Sequence, residues 1–420
     1  MAAGVSGTPA RMNILMVAEV SLLDVIGGAE RVLREQSLGL ADRGHTVRVL
    51  RRMGEEESAR RVTVQGVEEV RYPVDRSHPV AFFLSSIRNA REAATALHRE
   101  SPVDVVVVHQ SLPAVGLPGW LNSGIPLVAI SLSPAHEEYE IRNKPARGIA
   151  GNLWYGCQAS MRKWVERAVL GRALRVIVLS DFMRRRIIWS HRVRPARIVA
   201  IPGGVDAGKF FPAADRRAVR ARLGLDEGAF VLFTVRNLER RMGLSALIEA
   251  VAHLRSKIAG VQLLIGGSGP LRSELEAQVK ALALEGCVRF LGFVPEGVLP
   301  DYYRAADLFV LPSSHLEGFG LITIEALACG TPVFGTRIGA TAEILAEVDY
   351  CLLASGTDAE SLAGGIYEVQ QWFAAEPQAR MRLAEAGRRL VLREYTWARH
   401  CERLEAILAD VLHRRVRVSR

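Results

Sequence analysis

Short apolar runs alternate with amphipathic stretches along the whole chain, and the pattern starts over near the middle. Asn13 to Ala18 reads as a buried first strand. Gly27-Gly28 follows, then an amphipathic helix from about Ala29 to Arg43, ended by Gly44, and a strand over Thr46 to Leu50. Val103 to Val108 is valine-rich, the composition of a parallel strand covered on both faces. Pro126 to Ser131, Arg175 to Leu179 and Arg197 to Ile201 continue the set, with helices over Ile149 to Leu170 and Asp181 to Ser190. Ile201-Pro-Gly-Gly-Val-Asp206 breaks the alternation and reads as a hinge. It then resumes, with strands predicted at Phe230 to Val235, Val261 to Gly266, Val288 to Leu291, Leu308 to Leu311, Pro332 to Gly335 and Cys351 to Leu353. Helices are predicted at Leu244 to Lys257, Leu271 to Leu284, Leu321 to Ala328 and Ala342 to Ala346, and long helical segments from Asp358 onward. Such alternation builds doubly wound parallel sheets. The expectation is an α/β chain of two such domains, 1–203 and 204–395, facing a central cleft. A terminal helix from about 396 to 420 is expected to return to the first domain.

A length of 420 residues suits two cores. Apolar content of 49% and charged content of 24% are those of a soluble globular protein. No apolar run approaches the ~20 residues of a membrane span. Met1 to Arg11 is small and polar and lacks the apolar centre of a signal peptide, and Met12 stands as an alternative initiator. Five scattered cysteines, none in a C-x-x-C pair, point to a reducing cytoplasm, with no disulfide framework and no zinc site.

Charge divides the chain. Residues 1–205 hold 28 Lys and Arg against 19 Asp and Glu, whereas residues 206–420 hold 26 of each. Between Arg142 and Arg197 there are 14 basic residues and two acidic ones, Glu166 and Asp181. A basic face of this kind suits an anionic partner. An anionic membrane or a lipid-linked acceptor is the preferred expectation, with nucleic acid disfavoured.

In doubly wound sheets ligands bind beyond the carboxyl ends of strands, at helix N-termini. Four loops hold that position. The first is Gly27-Gly28-Ala29-Glu30. The second runs from Arg236 to Gly243 and carries Arg236, Arg240 and Arg241. Guanidinium groups there suit a diphosphate, giving bidentate contacts that are always charged. The third is Gly266-Gly-Ser-Gly-Pro270, including Gly267; it lacks the dinucleotide order of glycines. The fourth is Glu317-Gly-Phe-Gly-Leu-Ile-Thr-Ile-Glu325. Gly318 and Gly320 open a helix whose N–H groups and dipole favour an anion, with one carboxylate just before the helix and one inside it. His109 ends the valine strand and is a candidate for orienting a polar substrate; His136 is a weaker, acceptor-side candidate. No Asp-x-Asp occurs, so no metal is expected at the diphosphate, and no cofactor.

In this order and spacing, these loops, with Ile201-Pro-Gly-Gly-Val-Asp206 and Gly330-Thr-Pro-Val333, resemble those of a family-4 retaining glycosyltransferase of the GT-B fold. The resemblance runs from about Met12 to about Leu408. It implies two Rossmann-like domains, a nucleotide-diphosphate sugar as co-substrate, and a glycan or lipid-linked acceptor. Glu317 matches the carboxylate on the donor sugar and Glu325 the one on the nucleotide ribose. The amides of Phe319, Gly320 and Leu321 match those on the distal phosphate. Arg236 matches the family's diphosphate arginine, and Arg241 stands where the family most often has lysine. Gly27 and Gly28 match the loop that approaches the diphosphate, and His109 a histidine near donor sugar and acceptor. Tyr395-Thr-Trp397 resembles the point where the terminal helix crosses back.

The resemblance also implies retention of anomeric configuration without a protein nucleophile. The cysteine usage and the basic stretch make a cytoplasmic protein, with peripheral contact at the inner face of the membrane, the expected location. Two other readings stand beside it: a GT-B nucleotide-sugar 2-epimerase, and a non-catalytic nucleotide-binding GT-B protein.

Overall fold

The computed structural model describes residues 11–23, 27–117, 124–143 and 148–418. The segment before Arg11, and Lys144 and Arg147 of the basic stretch, lie outside them. The chain divides into two compact units. One comprises Met1–Leu179, Met183–Ile201 and Trp397–Arg420, the other Ser180–Phe182 and Pro202–Thr396. The change therefore falls at Ile201/Pro202, within the Ile201-Pro-Gly-Gly segment, and again at Thr396/Trp397.

The first unit is built on an eight-stranded sheet. Its strands are β1 (Asn13–Ala18), β2 (Thr46–Arg52), β3 (Arg61–Val64), β4 (Val67–Tyr72), β5 (Val105–Val108), β6 (Leu127–Ser131), β7 (Arg175–Val178) and β8 (Ile198–Ala200). Their order is β3-β4-β2-β1-β5-β6-β7-β8. All neighbours are parallel except β3 and β4. The central strands bury both faces, as their valine runs require. Met16, Val49, Val107, Val128 and Ile130 share one core with Leu33 and Leu40 from the helix Gly28–Asp42 and with Leu404, Leu408 and Val411 from the helix Trp397–Val418. Gly39 makes this helix pair close: a Cβ there would lie 2.4 Å from Cys401 Sγ.

The second unit has a five-stranded parallel sheet of β9 (Phe230–Val235), β10 (Val261–Gly266), β11 (Val288–Gly292), β12 (Leu308–Leu311) and β13 (Val333–Gly335). The order is β11-β10-β9-β12-β13. Leu232, Leu263, Ile265 and Val310 pack against Leu247, Val251, Ile366 and Val369. On the other face Phe233, Tyr303 and Phe309 meet edge to face.

Several features differ from the sequence reading, among them the following three. The β3–β4 hairpin was not anticipated, because its strands carry Arg61, Glu68, Glu69 and Arg71 in place of an apolar run. Its turn, Gln65-Gly66, has φ of 47° and 86°, the positive pair of a two-residue hairpin loop. The helix Pro79–Glu100 was also missed; His78 caps it and Pro79 opens it. Cys351 to Leu353 is not a strand. Asp349 accepts a hydrogen bond from Cys351 N at 3.0 Å and closes a 3₁₀ turn over Tyr350–Leu352, leaving Leu353 a single bridge to Gly335.

Asp307, one residue before β12, holds the second unit's near edge together. Its Oδ2 accepts from Arg220 Nη2 at 2.5 Å and Val231 N at 2.8 Å, and its Oδ1 from Arg216 Nη2 at 2.6 Å. Arg220 also donates to the carbonyls of Ala305, Glu227 and Ala229. Removing one member of such a buried group leaves a charge uncompensated. Asp307→Ala is expected to destabilise the protein by about 3–5 kcal/mol in urea unfolding. A cost under about 1 kcal/mol would mean that the pair behaves as a surface one.

Candidate active site

The carboxyl ends of β9, β10 and β12 converge on one guanidinium. Arg236 follows β9 directly and is 8% exposed. Its Nη2 donates to Glu317 Oε2 at 2.5 Å and its Nη1 to Ser313 Oγ at 2.7 Å. Ser313 in turn donates to the same Glu317 Oε2 at 2.9 Å. Burial pushes the Arg236 pKa down, the Glu317 carboxylate opposes that shift, and Arg241 adds to it.

Glycines set the spacing around this triangle. Gly267 has φ +113°, and a Cβ on it would lie 1.8 Å from the Arg236 carbonyl oxygen. Only glycine lets the loop after β10 close on Arg236. The loop is then pinned, with Arg236 N donating to Gly266 O and Leu238 N to Ser268 O. Gly339 does the same on the other side, where a Cβ would fall 1.9 Å from Glu317 O. That oxygen accepts from Ala340 N at 3.1 Å.

Arg241 lies in a short 3₁₀ turn, Arg240–Met242, and donates through Nη1 to Leu316 O at 2.9 Å. Its Nε is 3.8 Å from Glu239. Among the described residues, the Nε groups of both Arg236 and Arg241 are buried without a hydrogen-bond partner. Buried donors without partners are rare, and an anion would satisfy them. Three residues after Glu317, Gly320 adopts the left-handed conformation (φ 78°, ψ 65°) and caps the helix Leu321–Ala328. The first N–H groups of a helix have no acceptor within it, and the N-terminus that begins at Leu321, with Phe319 and Gly320 just before it, is an environment that favours an anion. Phe319 itself is buried and meets the Tyr395 ring at 5.9 Å. Glu325 is not on a solvated face. It is 3% exposed and accepts from the Tyr303 hydroxyl at 2.9 Å.

The first unit holds the remaining candidates. Gly27 precedes and Gly28 opens the helix Gly28–Asp42. His109 follows β5, and its backbone N–H donates to Val17 O at 2.9 Å. Its ring is buried with neither nitrogen hydrogen-bonded. Burial, and then the charge of nearby His400, push its pKa down to about 3. His136, the weaker acceptor-side candidate, is buried, with Nδ1 3.0 Å from Glu166 Oε2.

The family model "Glycosyl transferases group 1" matches residues 215–390, and the model "Glycosyltransferase Family 4" matches residues 26–209. A D-inositol 3-phosphate glycosyltransferase of Geodermatophilus obscurus is 30% identical over 327 residues, covering 74% of this chain and 67% of the relative. The chain belongs to the family-4 glycosyltransferases of the GT-B fold. The homologous enzyme of Kineococcus radiotolerans is 35% identical over 260 residues, 59% of this chain and 57% of that one. The matched stretches thus span about three fifths of these relatives' length. Sucrose-phosphate synthase from Thermosynechococcus elongatus superposes with a TM-score of 0.78 at 24% identity, over 96% of this chain and all of that one. This last likeness shows the fold.

Sequence reasoning on this family-4 chain did not find Ser313, Gly339 or Tyr303. The first two lie in runs of small residues whose partners are set only by the fold, and Tyr303 lies 22 residues from Glu325. A pH measurement tests the state of His109. Its folded pKa of about 3 lies below the ordinary value near 6.5. The neutral form therefore contributes fully above about pH 6.5, and stability falls as pH drops from there toward 3, by up to about 1.4 kcal/mol per pH unit. His109→Gln should flatten this slope in denaturation series taken from pH 7 to 4. An unchanged slope would show that His109 takes up its proton in the folded state.

Proposed function

We propose that this chain is a retaining glycosyltransferase that moves a hexose from a nucleotide-diphosphate sugar to a hydroxyl of an anionic or lipid-linked acceptor. The observation that carries this is the buried Arg236–Glu317 pair at the N-terminus of the helix Leu321–Ala328. Arg236, Arg241 and the N–H groups of Phe319, Gly320 and Leu321, at and just before the helix start, would share the charge growing on the departing diphosphate. Gly267 keeps the Arg236 backbone in place for that task, and by the family resemblance Gly27 and Gly28 would belong to a loop that approaches the diphosphate. Glu317 Oε2 already accepts two hydrogen bonds, one from a guanidinium. That makes it a poor nucleophile and a good fixed acceptor for sugar hydroxyls. The acceptor proton would pass to the leaving phosphate on the same face, giving retention. His109, neutral at working pH, would orient the sugar or acceptor by hydrogen bonding. Glu325 would hold the ribose while Tyr303 fixes its carboxylate.

The acceptor reading draws on two supports. The relatives are named for D-inositol 3-phosphate, an anionic polyol. The stretch from Arg142 to Arg197 also exposes Trp154, Trp164 and Trp189 among its arginines, and indole rings beside cations suit an anionic lipid–water boundary. This favours a cytoplasmic protein held peripherally at the inner membrane face. Liposome flotation should rise with anionic lipid content and fall with salt. Binding indifferent to both would remove the membrane version.

A donor-hydrolysis screen across nucleotide sugars, followed by NMR of the product anomer, tests the reaction. With the donor found, Arg236→Ala and Glu317→Gln are each expected to lower turnover by about 100-fold or more, while Glu325→Gln mainly weakens donor binding. Unchanged turnover in Arg236→Ala sinks the assignment. Epimerised free sugar from donor alone would favour a 2-epimerase, and no nucleotide binding by calorimetry a non-catalytic protein.

A further inference from the structure

In the first unit, three buried side chains from three helices meet. His136 lies on the helix Ala135–Arg142, Glu166 on the helix Ile149–Arg172 and His191 at the end of the helix Asp181–His191. One ligand atom from each lies within 4.8 Å of the other two. His136 Nδ1 is 3.0 Å and His191 Nε2 is 3.5 Å from the same Glu166 Oε2. A tetrahedral ion with bonds of about 2.0–2.1 Å separates its ligand atoms by about 3.3 Å, which these two distances bracket.

A second observation points to a ligand. The His191 side chain is fully buried, and neither of its ring nitrogens has a hydrogen-bond partner. The surroundings orient these three ligands, and a water would fill the fourth position of a tetrahedral ion. Glu166 Oε1 accepts from Ala135 N at 2.6 Å, which fixes the carboxylate. His136 Nε2 faces Glu137 Oε1 at 3.8 Å, a buried oxygen that otherwise has no partner, while Arg186 Nε holds Glu137 Oε2 at 2.6 Å. If His136 gives its Nδ1 lone pair to a cation, its remaining proton sits on Nε2, which faces Glu137 Oε1 at 3.8 Å. A carboxylate on that side of the ring is where metal-bound imidazoles are oriented from, and a small shift would bring the two into hydrogen-bond range. Glu166 and Glu137 bring two negative charges to the site, against which the charges of Lys163 and Arg167 act on His191.

We infer that His136, Glu166 and His191 form a structural site for a divalent transition-metal ion, zinc by its donor set, tying the three helices together. The inference does not rest on the transferase reading. Untagged full-length protein, stripped with a chelator, desalted and titrated with zinc chloride, tests it. Wild type is expected to retain one zinc per chain through gel filtration, and His191→Leu and Glu166→Gln none above buffer background. Cobalt(II) in place of zinc should give the intense visible bands of a four-coordinate site in wild type and lose them in Glu166→Gln. Equal zinc retention in wild type and both variants, or wild-type protein without zinc and without those cobalt bands, overturns the inference. The wild-type cobalt spectrum decides it even where a variant fails to fold.

Discussion

Burying a guanidinium is the most demanding requirement in the second unit. Taking Arg236 out of water costs several kcal/mol unless a well-placed anion and further hydrogen bonds offset it. Glu317 and Ser313 supply both, and each must come from a different strand end than Arg236 does. Close backbone approach makes that possible. Gly267 lets the loop after β10 lie on the Arg236 carbonyl, Gly339 lets the segment after β13 lie on Glu317, and Gly243 meets the Pro312 carbonyl, where a Cβ would fall 1.8 Å away. The sheet order places β10 and β12 on either side of β9, so the loops after these strands lie next to the one that carries Arg236. A charge held this way does not reorganise when a ligand's charge changes, which is the condition for electrostatic stabilisation to be effective.

This dependence explains what could be read in the sequence. The buried parallel strands were legible because both faces are covered, and their apolar runs need no partner to be recognised. The paired glutamates, the arginine loop and the glycine loops were legible as types at strand ends. Their partners were not. Nothing in Leu311-Pro-Ser-Ser-His-Leu316 distinguishes Ser313 from Ser314, yet Ser313 bridges Arg236 and Glu317 while Ser314 bonds the Arg241 carbonyl. The β3–β4 hairpin was hidden for a related reason. Glu69 is fully buried there, but Leu22 N, Ser21 and Arg71 satisfy it, so a core strand can carry charges that a pattern of hydropathy assigns to solvent.

The histidines of the first unit show the same limit. His109 and His136 both follow strands and look alike in sequence. In the fold one is left without partners and stays neutral, whereas the other shares a carboxylate with His191, 55 positions further on. Cysteine spacing, the usual sequence sign of a metal site, says nothing about ligands drawn one at a time from three helices.

Arg241 illustrates why a departure from the family's usual residue need not weaken a site. A lysine there would bring three donors on one nitrogen, and a bond to the Leu316 carbonyl would fix that nitrogen against the loop. A guanidinium separates the two tasks. Its Nη1 holds Leu316 O, just before Glu317, while its Nε is left buried and unpartnered. Leu316 itself has φ +43°, a costly conformation for a γ-branched residue, and the bond from Arg241 to its carbonyl stabilises that turn. The same side chain therefore shapes the loop that delivers Glu317 and adds positive charge beside Arg236. Replacing it by lysine would keep the charge and lose the geometry, so the arginine is part of how this chain shapes the loop before Glu317.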